Sequence, residues 1–416
     1  MDSIAKLESV DKYLLAEKWL KGLDGDFDED LRRETVIALK RLIETNLEVQ
    51  VQDLIGSAHW VHNPKRTTYR NGYYERGLFT SFGYIAEINV PRIREGGLNF
   101  KIFDRYQRRS RDIDKLLMNM FLSGVSTRRV EEVLEPLYGP KAVSAGLVSK
   151  VTKVLDEQVK RFHVRKITDK YEYLILDGIY LNAKSPVYKK RRSVLVAYGI
   201  WTIKINGKIK VSRELIDFQV AGHGESEEAW NKFLNSLYNR GLKGEKLKLV
   251  VFDGNKGLHN AIDMIYPNAL QQRCWFHKLQ NVANKLPKKL QYECIREAIG
   301  IYNSSSYNEA LSVYKKWVKR WELAYPKAVK CLDEDIEELL NFYKCPKELW
   351  KKIRTTNIIE RVFREVRRRT RTMSCFQNRE SLERIIYAIF HRMNKKWGNE
   401  IYILEDSLFY EITQNY

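Results

Sequence analysis

The sequence predicts an α/β core interrupted by an all-helical insertion and preceded by helical and small β-rich segments. Three observations carry this. Two apolar runs, YEYLILDGIYL (171–181) and KLKLVVFDG (246–254), each reach an aspartate followed by glycine. Between them lie two further strand-like runs and one amphipathic helix. After them, residues 278–352 place apolar side chains at helical spacing before an arginine-rich helix that carries Glu360.

Residues 1–62 read as a helical N-terminal region. SIAKLESVDKYLLAEKWLKGL and LRRETVIALKRLIETNLEVQVQDLI both show helical spacing, parted by the polar DGDFDED. Residues 63–107 alternate aromatic or β-branched with polar residues, the pattern of short strands, with a turn expected at Asn71–Gly72. Arg66, Arg70, Arg76, Arg92 and Arg94 interleave there with Tyr69, Tyr73 and Tyr74, which suits either a nucleic-acid surface or a solvated sheet face.

Residues 108–165 predict three helices: about 110–124, one opening at Ser126 and one opening at Ser144 that runs through VSAGLVSKVTKVLDEQV, with Gly139 and Pro140 between the last two. The spacing fits a helix-turn-helix or a plain helical hairpin. In the former, Arg128, Arg129, Lys150 and Lys153 are candidate DNA contacts.

Residues 166–277 hold the first part of the core. RRSVLVAYGIWTIKINGKIKVSRELIDFQ gives two strands around Asn206–Gly207, and SEEAWNKFLNSLYNRG gives a helix opening at Ser226 and closing at Gly241. A helix over about 255–265 and a short strand over 269–274 follow. Three antiparallel-type strands, a helix, a strand, a helix and a strand is the order of a ribonuclease-H-like core. Residues 278–352 form the helical insertion, and 353–416 complete the core with the Glu360 helix and C-terminal helices.

The formal net charge is +20, an excess of cations that calls for a polyanionic partner. Nucleic acid is the simplest; an acidic membrane surface or a ribosome-like assembly is the alternative. Apolar residues make up 44% of the chain, enough for real cores and too many for a disordered polymer. No run approaches eighteen apolar residues, and MDSIAKLESV lacks the apolar centre of a signal peptide. A soluble, cytoplasmic, nucleoid-associated protein is expected. Five scattered cysteines suit a reducing compartment better than a disulfide framework.

Asp177 and Asp253 each end an apolar strand run, where α/β sheets present functional groups to a crevice. Two carboxylates held close repel unless a cation lies between them, and Mg2+ or Mn2+ prefers such hard oxygen ligands. Glu360 is the third candidate. It sits among nine Lys or Arg between residues 351 and 371, with only Glu365 for acidic company. Carboxylates that bind two metal ions, beside guanidinium groups that hold phosphates, are what phosphoryl transfer on a polynucleotide needs. Each piece has a plainer reading. Aspartate after a strand is a common turn residue, Asn357-x-x-Glu360 matches a helix capping box, and Glu365 is either an alternative ligand or an ion-pair partner of Arg361 or Arg369.

The chain resembles the Mutator-type transposases of insertion sequences, a DDE family. The resemblance runs over nearly the whole length. It is carried by RNGYYER (70–76), INVPRIREG, RYQRRSRDID, GVSTRRVEEVLE, NRGLKG, VVFDGNKGLHNAI, QRCWFHKLQNV and RTTNIIERVFREVRRRTR. It implies a ribonuclease-H-like core with an all-helical insertion before its glutamate, and it maps the catalytic carboxylates onto Asp177, Asp253 and Glu360. It further implies two Mg2+ or Mn2+ ions, with Asp177 and Asp253 binding both and Glu360 completing one site. Arg361, Arg364, Arg367 and Arg368 would hold phosphates. The partners implied are the element's terminal inverted repeats, target DNA, and a second copy of the chain in a dimer or larger assembly. The family's Cys-x-x-His pair is matched by Cys274 and His277. Zinc would want four ligands, so packing, support of the carboxylates or a phosphate contact from His277 are the other roles. Trp275 either stacks on an unpaired base or belongs to the core. The stretch GIYLNAKSPVYKKRR after Asp177 departs from the family's usual basic segment. Two rivals remain: a structure-selective nuclease on the same core, and a non-catalytic DNA-binding regulator derived from a transposase.

Overall fold

The computed structural model describes residues 21, 27–58, 60–61, 63–96, 100, 108–138, 143–184, 189–205, 208–222, 224–371, 376 and 378–398. The first N-terminal helix apart from Lys21, Gly139 and Pro140, the Asn206–Gly207 turn, residues 185–188 of the basic stretch, Cys375 and the C-terminal end beyond 398 lie outside them. The described residues fall into two compact units, one up to Thr152 and one from Lys153 onward.

In the first unit a long helix, α1 (Phe27–Ile55), opens with Asp28, Glu29 and Asp30 against its positive N-terminal dipole. It therefore starts inside the polar DGDFDED segment. Ile43, Leu47, Val51 and Ile55 recur on one buried face. Ile43 and Leu47 pack on Leu78, Ile85, Ile88 and Val90 of an antiparallel hairpin, β1 (Arg70–Thr80) and β2 (Gly83–Ile93). The hairpin corrects the expected turn. β1 runs straight through Asn71–Gly72, and the chain reverses at Ser81–Phe82, between the paired Thr80 and Gly83. Gly72 uses its freedom at φ +72° to shift the register between Arg70 and Tyr73, a bulge rather than a reversal. Some of the interleaved cations stack on their aromatic neighbours: Arg66 lies 4.3 Å from the Tyr69 ring centre and Arg92 4.8 Å from that of Tyr74.

Three helices complete this unit: α2 (Arg111–Leu122), α3 (Thr127–Tyr138) and α4 (Ala145–Thr152), each packed on the other two. Ser126 and Ser144 stand where the sequence puts them, their hydroxyls accepting the Arg129 and Leu147 N–H groups. The helix expected to run on from Ser144 is instead two. α4 ends at Thr152 and α5 (Val154–Val164) opens the second unit. The Thr152 hydroxyl donates to the Ser149 carbonyl, a local bond that competes with the helical ladder at the break.

The second unit is built on a five-stranded mixed sheet in the order β5-β4-β3-β6-β7. β3 (Tyr173–Lys184), β4 (Lys189–Ile205) and β5 (Lys208–Ala221) form an antiparallel meander. β6 (Leu249–Phe252) and β7 (Leu270–Arg273) extend it in parallel from β3. Parallel pairing needs crossovers, which α6 (Glu227–Asn239) and α7 (Lys256–Ile265) supply. Their apolar faces, with Trp230, Phe233, Leu234, Leu258 and Ile262, close over Leu174, Leu176, Val250 and Phe252.

After β7 comes the helical insertion: α8 (Trp275–Ala283), α9 (Lys288–Asn303), α10 (Tyr307–Trp321), α11 (Pro326–Asp333), α12 (Ile336–Leu340) and α13 (Trp350–Ile353). It begins three residues before the expected 278. α14 (Asn357–Thr370) then returns to β3, and α15 (Arg379–Lys396) packs on α5 and β5. Asn394 fixes α15 to the sheet by exchanging bonds with the Leu215 N–H and carbonyl at 2.8 and 3.0 Å.

Leu174, fully buried, and Leu323, 97% exposed, make a matched test of this core. Leu174→Ala should cost about 3 kcal/mol and Leu323→Ala less than about 0.5 kcal/mol, read from urea unfolding midpoints.

Candidate active site

β3 delivers the first carboxylate from mid-strand rather than from its end. Asp177 is the fifth of twelve residues, just beyond the stretch in which residues 173–175 pair with β6. β3 outlasts that partner because β4 carries it onward. Asp253 does follow the last residue of β6, as the sequence indicates. Its Oδ1 accepts the Asn255 N–H at 2.9 Å, and the Asn255 side chain in turn caps α7.

Asp177 is only 6% exposed. Its Oδ1 accepts the neighbouring Gly178 N–H at 2.8 Å, while its Oδ2 is buried without a hydrogen-bond partner. Burial raises its carboxyl well above the usual range, and so does the Asp253 carboxylate. The Gly178 N–H and His277 oppose the rise, and Glu360 adds to it. The Asp177 carboxyl therefore feels the charge of both Asp253 and Glu360. Yet among the described residues no three His, Cys, Asp or Glu side chains are close enough to hold an ion as a set. The donor chemistry is nonetheless that of a divalent hard cation: carboxylate oxygens, one of them desolvated and unsatisfied.

Glu360 lies in the first turn of α14, but Thr356 is the N-cap residue, so Glu360 falls one position beyond the capping-box site. Its Oε2 faces Arg367 Nη1 at 3.4 Å. Glu365 is bound by Arg368 at 2.8 and 2.9 Å and by Arg369 at 3.0 Å. These bonds, those of Arg368 first, hold it down at about 2. It is engaged elsewhere on the helix; its partners are Arg368 and Arg369, not Arg361. Arg364, Arg367 and Arg368, with Arg371, Tyr180, Asn182 and others, line a cavity of about 660 Å³ between β3 and α14. Arg361 is exposed but lies outside that lining. Arg128, Arg129 and Lys150 are exposed in the first unit, and Lys153 is exposed where the second begins.

Cys274 and His277 flank the first turn of α8. The Cys274 sulfur is fully buried and accepts the Thr356 N–H at 3.3 Å and its hydroxyl at 3.4 Å. Burial alone would push this thiol up; His277 and Thr356 outweigh it and bring it down. The same sulfur is the main cause lifting His277 to about 9. Burial opposes that rise, and Asp177 and Asp253 reinforce it. A cation thus faces the aspartates, and the Cys274 sulfur anchors the cap of the helix that carries Glu360. Trp275 is core: it is fully buried and its indole N–H donates to the Leu339 carbonyl at 2.7 Å, so it has no face to offer a base.

Sequence reading missed Glu225. Burial first, then the Asp253 carboxylate, raise it to about 7, against a bond from Tyr180. Its only sequence signal was its place just before the Ser226 cap of α6. Ionised forms of Asp177 and Glu225 are disfavoured in the fold, so the folded state holds protons that the unfolded chain releases. In chelator-treated protein the thermal midpoint should fall as pH climbs from about 4.5 through about 7, and Glu225→Gln should remove much of that fall. A midpoint that rises over this window would contradict the assignment.

Residues 20–400 match the family described as "Transposase, Mutator family". The chain is 35% identical over 360 residues to the transposase for insertion sequence element ISRM5 of Rhizobium meliloti (strain 1021), covering 86% of this chain and 87% of that protein. It is 34% identical over 355 residues to the transposase for insertion sequence element IS256 in transposon Tn4001 of Staphylococcus aureus, covering 84% and 87%. To the transposase for insertion sequence element IS905 of Lactococcus lactis it is 29% identical over 381 residues, covering 91% and 92%. With a family match over most of its length and relatives aligned across more than four-fifths of both chains, this protein belongs to the Mutator family of transposases.

Proposed function

We propose that this transposase is a DDE enzyme that binds the terminal inverted repeats of an insertion sequence, cuts a phosphodiester at the element end, and joins the freed 3′-hydroxyl to target DNA. The observation that carries this is the Asp177 carboxylate: buried, one oxygen unsatisfied, and within reach of the charges of Asp253 and Glu360. A fold stabilises such a group poorly unless a cation completes it. The strand order supports a ribonuclease-H-like core, with the helical insertion entering between β7 and α14.

Asp177 and Asp253 would hold two Mg2+ or Mn2+ ions, and Glu360 would complete one site. When bound, such ions activate the attacking oxygen and stabilise the leaving one. The protein's own part is positional. The sheet fixes the two aspartates, and Cys274 fixes the start of the Glu360 helix through Thr356. His277 offers a cation beside the carboxylates. Arg364, Arg367 and Arg368 line a basic cavity suited to the phosphate backbone, and Arg361 extends the cationic helix. The region up to about residue 165 would bind the repeats, with Arg128, Arg129, Lys150 and Lys153 as contacts. Joining two ends in one event calls for a dimer or larger assembly. No described helix is long and apolar enough to cross a membrane.

Labelled element-end duplex incubated with Mg2+ or Mn2+ tests the chemistry. Wild type should nick and join. Asp177→Asn, Asp253→Asn and Glu360→Gln should each lose about a thousandfold or more, equivalent to about 4 kcal/mol, while still binding the duplex. Glu365→Gln should cut normally. Cutting without joining would favour a structure-selective nuclease, and repeat binding with no cutting in either metal a regulator. Separately, Arg364→Ala and Arg367→Ala should each weaken DNA binding whatever its sequence and lower the slope of log affinity against log salt by about 1.

A further inference from the structure

The two aspartates and Glu360 leave one of the two proposed ions short. Asp177 and Asp253 can be shared, but Glu360 serves a single site. We propose that Glu225 is a fourth carboxylate of the centre and would complete the ion site that Glu360 does not. This rests on the two-metal reading above and deepens it.

Four observations place Glu225 there. First, its carboxylate lies directly over the backbone of Gly178, next to Asp177. A methyl group at that position would overlap the carboxylate, with Oε2 only 2.8 Å away. The glycine after Asp177 has a reason beyond turn formation: it clears room for a second acidic side chain. Second, the start of α6, which Glu225 precedes, is seated on the start of α7, which follows Asp253: a methyl group on Gly257 would meet the Glu227 backbone nitrogen at 2.7 Å. Third, the backbone of Glu225 is tied to the Asp253 loop. Asn255 Nδ2 donates to the Glu225 carbonyl at 3.3 Å while the Asn255 N–H donates to Asp253 Oδ1 at 2.9 Å. Fourth, the neighbouring Asp177 Oδ2 is buried without a partner, which points to a missing ligand in the centre and which a cluster of acids alone would not.

Charge argues the same way. Two divalent cations carry as much positive charge as four carboxylates carry negative, and a half-buried carboxylate beside another has no other described cation to balance it. Tyr180 supplies only a hydrogen bond. Glu225 also comes from a different element than the other three. It precedes α6, whereas Asp177 is on β3, Asp253 follows β6 and Glu360 is on α14. Ligands drawn from four separate elements would make ion binding a brace across the second unit.

Counting bound ions tests this apart from activity. The full-length protein is bound to an element-end duplex whose 3′ end is dideoxy-terminated and cannot join. Mn2+ is then titrated in, and free Mn2+ is followed by paramagnetic resonance. Wild type should bind two ions per active site. Glu225→Gln should lose one, or bind it at least about tenfold more weakly, and Gly178→Ala, which pushes the carboxylate aside, should do the same. Glu360→Gln should weaken the other ion, and Asp253→Asn both. Two ions at wild-type affinity in both Glu225→Gln and Gly178→Ala overturn the proposal, and leave the two-metal reading standing if Asp253→Asn still loses both. Two ions retained in Asp253→Asn overturn the proposal together with that reading. Glu225→Asp covers the case in which Glu225→Gln does not fold: a shortened carboxylate should keep two ions with the second weakened, and unchanged affinity overturns the proposal.

Discussion

Desolvated carboxylates of like charge, held where they repel one another, are the constraint on which the second unit depends. Asp177 sits in the middle of a strand whose neighbours Leu174, Ile175 and Leu176 are fully buried, so the peptide cannot move to relieve it. Its charge is opposed by burial and by Asp253, and answered within the protein by one backbone N–H and by His277. An arrangement so unfavourable to a bare fold is kept where function needs it. The sheet pays for this stability elsewhere, in the apolar layer that α6 and α7 lay over β3 and β6.

The long helical insertion creates a second problem, which is how to bring Glu360 back within reach of the Asp177 charge after more than a hundred residues. The solution lies at the junction of β7, α8 and α14. The Cys274 N–H bonds to the Phe252 carbonyl and continues the sheet. The Cys274 sulfur accepts the Thr356 N–H and hydroxyl, and the Trp275 backbone N–H donates to the Arg354 carbonyl at 3.2 Å. Trp275 itself is locked into the insertion through Leu339. A Cys-x-x-His spacing that suggests a metal site is thereby a mechanical joint with a cationic histidine facing the acids. Among the described residues it finds no third metal-binding side chain.

The cationic excess divides by context. On α14, Arg369 is buried and spent on Glu365, and Arg368 is bound to the same glutamate. Arg364, Arg367 and Arg368 nonetheless line an open cavity beside the strand that carries Asp177. In the β hairpin several arginines stack on tyrosines, and Arg70 pairs with Glu48 at 3.4 Å. A run of arginines in a sequence is thus not a run of equivalent phosphate ligands, because packing decides which guanidinium groups stay available.

Much of this was legible in the sequence because it depends on local rules. Alternation and helical period gave the strands and helices. Ser126, Ser144 and Ser226 marked helix starts through their hydroxyls. Apolar runs reaching Asp177 and Asp253 singled out two candidates for the site, and an acid in a basic helix gave the third. What depended on long-range pairing was not legible. Asn71–Gly72 looked like a turn and became a bulge, because cross-strand packing and not the dipeptide set the register. The helix from Ser144 broke at a boundary that only the packing of two units defines. Sequence put Glu360 forward with Glu365 as the alternative, and only side-chain geometry showed that Glu365 is paired with Arg368 and Arg369. Glu225 carried no motif, since its proximity to Asp253 comes from two crossovers folding onto one sheet. The sequence by itself determined which elements form and which acids end apolar strands. Only the tertiary structure decided which charges meet, because repulsion between carboxylates acts through space and not along the chain.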